Sequence, residues 1–137
     1  LLADAGHAGI QRLYADHNHL YRDLPALHEK DFDQAGFEWI DCHDSAQSVL
    51  AWLRRGRDGR FVVVIANFTP EPRSSYRIGV PLAGGYREIL NSDSAHYGGS
   101  NLGNWGRIEA LDGEWMNRPA SLEATLPPLG LVILQPV

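Results

Sequence analysis

Phe61-Val-Val-Val-Ile-Ala-Asn67 is the stretch that decides the fold of this chain. Branched side chains fit a pleated sheet and are stiff at χ1, so the run predicts a strand, and its lack of charge predicts burial on both faces. A second apolar run, Val49 to Arg54, precedes it, and Asp58-Gly59 in the connection is typical of a hairpin turn. We therefore expect this hairpin at the centre of an antiparallel β domain.

The bulk composition describes one globular domain. The chain has 137 residues, 44% of them hydrophobic, and a net charge of −5, which argues against a nucleic-acid surface. No stretch approaches the roughly 20 apolar residues that span a bilayer. Cys42 is the single cysteine and fits a reducing compartment, so we expect a cytoplasmic protein without nucleic-acid or membrane partners. The first residue is Leu1, which suggests a piece of a longer protein.

One helix is predicted, near the start of the chain. Residues 1–9 are small and Gly-rich, which favours a loop, and Pro25 ends the helical pattern that follows. Apolar side chains and one histidine recur at helical spacing in between, at Ile10, Leu13, Tyr14, His17, Leu20, Tyr21 and Leu24. A stripe of this size predicts a helix that docks on a partner and lies outside the core of the β domain.

After Gly36 the sequence is typical of short strands separated by turn residues. The predicted strands are 37–41, 49–54, 61–67, 76–80, 86–90, 122–126 and 129–134. Residues 91 to about 117 are rich in Gly, Asn and Ser and are predicted to be irregular. The pattern predicts a β-sandwich or barrel, and a helix followed only by strands suggests a domain boundary near residue 31.

No catalytic or metal-binding pattern emerges from the sequence. His17 and His19 would lie about 200° apart around a helix and cannot share a ligand face. Asp93-Ser94-Ala95-His96 holds the residue types of a catalytic triad, but adjacency in a loop supplies no triad geometry. Gly98 to Asn104 lacks the lysine of a phosphate-binding loop. We expect no catalytic residue, no metal and no cofactor on this chain.

Three aromatic residues are the candidate carbohydrate-binding residues. Tyr97, Trp105 and Trp115 fall in the segment predicted to be irregular. Exposed rings offer flat surfaces for the apolar faces of sugars, and polar loop residues can bind the hydroxyl groups. The alternative is that these rings close the ends of the sandwich, and the sequence leaves both interpretations open.

Several runs resemble the bacterial 1,4-α-glucan (glycogen) branching enzymes of the α-amylase superfamily. The most specific is Arg87-Glu-Ile-Leu-Asn-Ser-Asp-Ser94, followed by Tyr97-Gly-Gly-Ser-Asn101. Further matching runs are 9–13, 18–22, 25–29, 31–33, 36–40 and 67–70, with 126–129 shared more widely in the superfamily. Within the helix, Tyr14, Ala15 and His17 replace the valine, arginine and leucine that are usual in the family.

The resemblance implies two parts of a larger enzyme. Residues 1–30 would form the last helix and flanking loop of a (β/α)₈ catalytic barrel. Residues 31–137 would form the C-terminal all-β domain, an antiparallel Greek-key β-sandwich. Enzymes of this family cleave an α-1,4 glucan and transfer the released chain to a 6-hydroxyl group, which creates the α-1,6 branches of glycogen.

The catalytic carboxylates of such enzymes lie on the barrel, and none is carried onto this chain. The implied partners are the catalytic barrel of the same polypeptide and an α-glucan, either glycogen or amylose. The isolated chain is expected to be inactive. A non-catalytic carbohydrate-binding module and a protein-interaction β-sandwich remain as alternatives.

Overall fold

The computed structural model describes residues 1–137 as two helices followed by eight strands. The helices are α1 (Ala5–Asp23) and α2 (Pro25–His28). The strands are β1 (Phe37–Asp41), β2 (Val49–Arg55), β3 (Phe61–Asn67), β4 (Arg73–Val80), β5 (Gly84–Asn91), β6 (Arg107–Trp115), β7 (Arg118–Leu126) and β8 (Gly130–Pro136). No helix combines the length and apolar character needed to cross a membrane.

The strands form two antiparallel layers that share β6. Neighbouring strands follow the order β1-β2-β3-β8-β5-β6-β7-β4. The first half of β6 pairs with β5 and its second half pairs with β7, so this strand passes from one layer to the other. Because β4 lies beside β7, strands β4 to β7 form a Greek key. The predicted antiparallel Greek-key β-sandwich is confirmed.

The main core fills the space between the layers, and β3 is its central strand. All seven residues of β3 are buried. Val63 and Ile65 face the main core of 18 buried residues, whereas Val62 and Val64 face the helices on the outside. Burying such a side chain stabilises the fold by about 1.5–3 kcal/mol. The predicted strand, buried on both faces, is therefore confirmed.

The helices pack on the outer face of the β3 layer. A second cluster joins Ala26 and Leu27 of α2 to Val62, Val64, Leu90 and Ile133 of the sheet. Leu13 and Leu20 of α1 and the adjacent Leu24 are half-buried against this cluster. Helix α1 contributes no residue to the main core, and its docking on a partner stays a prediction.

The ends of the two layers are joined by ion pairs. Arg118 of β7 donates from Nη2 to Glu38 Oε1 at 2.5 Å and to the carbonyl of Trp39 at 3.0 Å, both on β1. Arg55 of β2 donates to the other Glu38 oxygen at 3.0 Å. Burial opposes the charge on Glu38, but the two arginines outweigh it and lower the pKa of the carboxyl. These bonds connect the outer strand of one layer to the other layer.

The largest departures from the predicted boundaries are at helix α1 and strand β6, and β4 and β7 also begin earlier than predicted, at Arg73 and Arg118. Helix α1 begins at Ala5, not Ile10, because the Asp4 carboxylate caps it by accepting bonds from the amides of Gly6 and His7 at 2.8 and 3.3 Å. Strand β6 occupies residues 107–115, inside the segment predicted to be irregular. Its burial pattern shows one buried residue in nine, so it lacks the alternation that identifies a half-buried strand.

Candidate functional site

Tyr97 lies on a turn that holds helix α1 against the β domain. Its hydroxyl donates to Asp16 Oδ2 at 2.8 Å, and its ring packs against the second cluster. Burial, with the bond to Asp16 and its charge, raises the pKa of Tyr97 to about 12. Nearby, Arg12 donates to the carbonyl of His96 at 2.9 Å. The structure therefore gives Tyr97 contacts within the protein and leaves little of it free for a ligand.

The loop between β5 and β6 is organised by Asp93. Its carboxylate accepts bonds from the Ser100 amide at 3.0 Å, the Ser100 hydroxyl at 2.5 Å and the Leu102 amide at 3.1 Å. Burial opposes ionisation of Asp93, but these bonds outweigh it and lower the pKa of its carboxyl. The loop between β5 and β6 therefore has a defined conformation, which side-chain hydrogen bonds largely hold in place.

Trp105 projects from the end of this loop. It is 93% exposed, and its backbone has a φ of +55°, a conformation that bulky residues rarely adopt. The turn is fixed by the preceding Asn104, whose side chain donates to Glu88 Oε2 at 2.6 Å and accepts from the Thr125 amide at 2.7 Å. A strained, exposed tryptophan on a rigid turn is a candidate binding residue.

A small polar cavity of about 160 Å³ adjoins Trp105. Its walls include the side chains of Glu88, Asn91, Ser94 and Asn101. Carboxylate, amide and hydroxyl groups next to an exposed ring form the combination that binds a sugar, because the ring covers the apolar face and the polar groups accept or donate to hydroxyls.

Trp115 ends strand β6, so the prediction that it lies outside the strand pattern was wrong. The guanidinium of Arg77 lies 4.1 Å from the centroid of its ring, and Arg77 Nε donates to Ser121 Oγ at 3.1 Å. Arg77 therefore covers one face of the indole and fixes its orientation. Trp115 remains 39% exposed.

The structure does not bring the two tryptophans together. Trp105 precedes β6 and Trp115 is its last residue, and the cavities beside these two residues share no lining residue. A site at Trp105 and a site at Trp115 would therefore be separate sites. No group of three or more His, Cys, Asp or Glu side chains is placed to hold a metal ion.

The apolar stripe of helix α1 has an exposed edge directly beside its docked edge. Ile10, Tyr14 and Tyr21 are exposed, and His17 lies between them on the same side. A cavity of about 280 Å³, lined mainly by apolar side chains, separates this side of the helix from the sheet at Leu90 and Leu131. The single stripe predicted from the sequence is thus divided into a docked half and an exposed half.

Sequence analysis missed a polar cluster around Asp44. This carboxylate accepts from the hydroxyl of Tyr76 at 2.6 Å and from the amide and side chain of Gln47 at 3.1 and 3.0 Å. Asp44 and Tyr76 are 32 residues apart. Asp in a turn and Tyr in a strand are each ordinary, so only the folded topology reveals that they meet.

Comparison with known proteins agrees with the fold and with the sequence. Residues 39–137 match the family described as "Alpha amylase, C-terminal all-beta domain". The crystal structure of alpha-amylase from H. orenii resembles this chain with a TM-score of 0.50 and 20% identity, over 87% of this chain and 18% of that one. This likeness concerns the fold alone.

The sequence relatives are named 1,4-alpha-glucan branching enzymes. The chain is 65% identical over 134 residues to the 1,4-alpha-glucan branching enzyme GlgB of Dechloromonas aromatica, covering 98% of this chain and 22% of the relative. It is 61% identical over 130 residues to the GlgB of Methylobacillus flagellatus, covering 95% and 18%. The chain thus spans about one fifth of the length of these relatives. With the family match over residues 39–137, this chain belongs to the alpha-amylase C-terminal all-beta domain family.

Proposed function

We propose that this chain is the C-terminal portion of a 1,4-α-glucan branching enzyme. The observation that carries the proposal is the 65% identity over 98% of the chain to a protein with that name. The whole enzyme would cleave an α-1,4 glucan and transfer the chain to a 6-hydroxyl group of glycogen. It would do so in the cytoplasm, where Cys42 stays reduced.

In this proposal the chain supports the catalytic barrel and contributes no catalytic residue. Residues 1–30 are the last helix and flanking loop of the barrel, and residues 31–137 are the C-terminal domain. The exposed stripe of α1, at Ile10, Tyr14, His17 and Tyr21, is the face that contacts the rest of the barrel. Helices of a (β/α)₈ barrel pack on its strands through such a face.

Glucan contact is proposed for the exposed aromatic residues. Trp105 is the first candidate because its ring is almost fully exposed beside a polar cavity. Trp115 is the second, and Tyr97 is the weakest because its hydroxyl already binds Asp16. The same exposure of Trp105 favours the alternative of a non-catalytic carbohydrate-binding module.

A hybrid enzyme tests the proposed function. The matching segment of the Dechloromonas aromatica enzyme is replaced by this chain, and amylose is incubated with the hybrid. Iodine staining and a debranching digest then measure new branch points. We expect the hybrid to branch amylose, because the two segments are 65% identical over 134 residues.

Two controls make the result decisive. The isolated chain should create no branch points, and the parent enzyme without this segment should lose most of its activity. Branch points made by the isolated chain would contradict the assignment of catalysis to the barrel. A hybrid that is folded but inactive would contradict the assignment of this chain to the branching enzymes.

A further inference from the structure

A polar cleft lies at the Trp115 end of the domain. Its volume is about 510 Å³, within the roughly 300–1,000 Å³ of small-molecule sites. The loop after β1, the start of β4 and the turn after β6 form its walls. The side chains that matter here are those of Asp41, Asp44, Gln47, Arg73, Tyr76 and Trp115, and we call this site the Trp115 cleft.

The acidic side of the Trp115 cleft is ordered before any ligand binds. Asp44 accepts from Tyr76 and twice from Gln47, as described above, so its carboxylate is fixed in place. Asp41 accepts only from the amide of His43, at 2.9 Å, and keeps most of its accepting capacity. Asp41 therefore supplies free acceptor positions for a ligand hydroxyl, beside a carboxylate whose ordering cost is already met within the protein.

The basic side of the cleft lacks carboxylate partners. Neither Arg73 nor Arg77 takes part in an ion pair within the protein. Arg73 makes only long contacts from Nη2, at 3.5 Å to the carbonyl of Gln47 and 3.4 Å to Thr69 Oγ1, and its buried Nε has no partner. Buried donors are normally paired, so Arg73 retains hydrogen-bonding capacity.

The composition of the cleft selects the class of ligand. Two carboxylates and two guanidinium groups balance in charge, so a phosphate would be repelled by Asp41 and Asp44, and a cation by Arg73 and Arg77. A neutral ligand with many hydroxyl groups uses both acceptors and donors. Trp115 adds an aromatic wall whose orientation is fixed by Arg77, and such a wall suits the apolar face of a sugar ring.

We propose that the Trp115 cleft is a second glucan-binding site, separate from any contact at Trp105. Asp41 and Arg73 bind hydroxyl groups of the sugar, and Trp115 contacts a ring face. The hydrogen bond between Tyr76 and Asp44 keeps the wall of the cleft in place. The choice of an α-glucan as the ligand rests on the proposed function.

Titration of the 137-residue chain with maltoheptaose tests the site by NMR. The chain is labelled with ¹⁵N, and the indole N–H of Trp115 is assigned from the Trp115→Phe variant. We expect millimolar maltoheptaose to shift this indole resonance and the amides of Ser74 and Ser75, which line the cleft. Asp41→Asn and Trp115→Ala should each weaken the binding at this site about fivefold or more.

Matched variants separate binding from folding. Asp23→Asn removes an exposed carboxylate at the end of α1 and should leave the titration unchanged. Trp115→Phe keeps an aromatic wall and should retain more affinity than Trp115→Ala. If Trp115→Ala fails to fold, then Asp41→Asn and Trp115→Phe still decide the result.

Three outcomes would overturn the proposal. The first is maltoheptaose shifts confined to residues around Trp105. The second is that inorganic phosphate shifts the cleft amides as much as maltoheptaose does, and at a lower concentration. The third is no shift of the cleft resonances at about 20 mM maltoheptaose. Shifts produced by cellohexaose but not by maltoheptaose would retain a sugar site while contradicting the α-glucan assignment, and the hybrid-enzyme assay tests that assignment independently.

Discussion

In the irregular segments, single polar side chains make hydrogen bonds that replace the backbone pairing of helices and strands. Asn67 is 2% exposed, and its side chain makes four bonds, with Thr69 N, Thr69 Oγ1, Glu71 O and Pro127 O. Asp93 and Asn104 act in the same way in the loop before β6. Their residue types predict turns, but their long-range partners could not be predicted, because those depend on which strands become neighbours.

Replacing Asp93 by asparagine should destabilise the protein in a pH-dependent way. The amide loses the charge that strengthens the bonds to Ser100 and Leu102, so we expect a loss of about 1–3 kcal/mol at pH 7. The folded pKa of Asp93 lies below the ordinary 3.8, so its stabilisation is present above pH 3.8 and is lost as the pH falls through the folded value.

Urea unfolding of both proteins between pH 7 and about 2.5 measures this effect. The difference in free energy of unfolding should be constant from pH 7 to 5 and should shrink below pH 3.8. Asp112→Asn, at an exposed position of β6, is the control and should show no such difference. A gap between Asp93→Asn and the parent that stays constant down to the lowest pH would exclude the carboxylate as its source.

The left-handed backbone of Trp105 should lower the stability of the protein, and its exposed ring should contact the glucan. A left-handed conformation costs a non-glycine residue about 1–2 kcal/mol, and the exposed ring gains little from packing. Trp105→Gly should therefore unfold at the same or higher urea concentration than the parent, whereas Trp105→Ala keeps the backbone cost. Both variants should lose maltoheptaose shifts near Asn101. If both variants keep these shifts, Trp105 is not a glucan contact.

At the scale of elements, the sequence predicts best where a pattern is local. Strands β1 and β3 have the predicted bounds, because the β-branched run of β3 and the alternation of β1 directly after Gly36 are both local patterns. Strand β6 could not be predicted, because it changes layer and exposes most of its side chains. Its turn also places Met116 and Asn117 at positive φ, without the glycine that usually marks such a hairpin.

Docking of α1 depends on the absence of a side chain at Gly9. A Cβ atom there would lie 1.9 Å from the carbonyl oxygen of Tyr97, which is backbone and cannot move aside freely. Alanine improves helix propensity by about 1 kcal/mol, but an overpacked contact costs about 1–3 kcal/mol. We therefore expect Gly9→Ala to lower the free energy of unfolding and to displace the Tyr97 turn.

Urea unfolding and the NMR amide shifts of residues 95–99 measure the effect of Gly9→Ala. Gly6→Ala is the control in the same helix, because its Cβ would meet only the Asp4 carboxylate that caps the helix, at 3.2 Å, and no part of the Tyr97 turn. The control should leave these amides unchanged. Equal stability of the two variants would show that α1 does not depend on the close contact with Tyr97.

At the scale of the whole molecule, two clusters with different roles hold the protein together. The main core of 18 residues contains only strand residues, so the β domain has its own interior. The second cluster joins the helices to the sheet through six buried residues. The sandwich could be predicted from the sequence, but the contact between the helices and β3 could not, because alternation in β3 is hidden by its burial on both faces.

Removing residues 1–30 tests whether the β domain is an independent unit. The truncated chain keeps the main core, the Greek key and the ion pair between Arg54 and Asp31. It loses the cover of Val62, Val64, Leu90 and Ile133, whose exposure to water costs about 1.5–3 kcal/mol for each fully uncovered side chain. We expect a lower Tm with a transition that remains cooperative, followed by circular dichroism on heating.

A companion variant separates loss of the helices from self-association. Val62→Thr and Val64→Thr in the truncated chain make the uncovered face more polar and leave the side chains of the main core unchanged. This variant should stay monomeric in sedimentation and should melt cooperatively, because its interior is the same 18-residue core. A broad, non-cooperative transition in both truncated proteins would show that α1 and α2 belong to the folding unit, and the boundary at residue 31 would then be wrong.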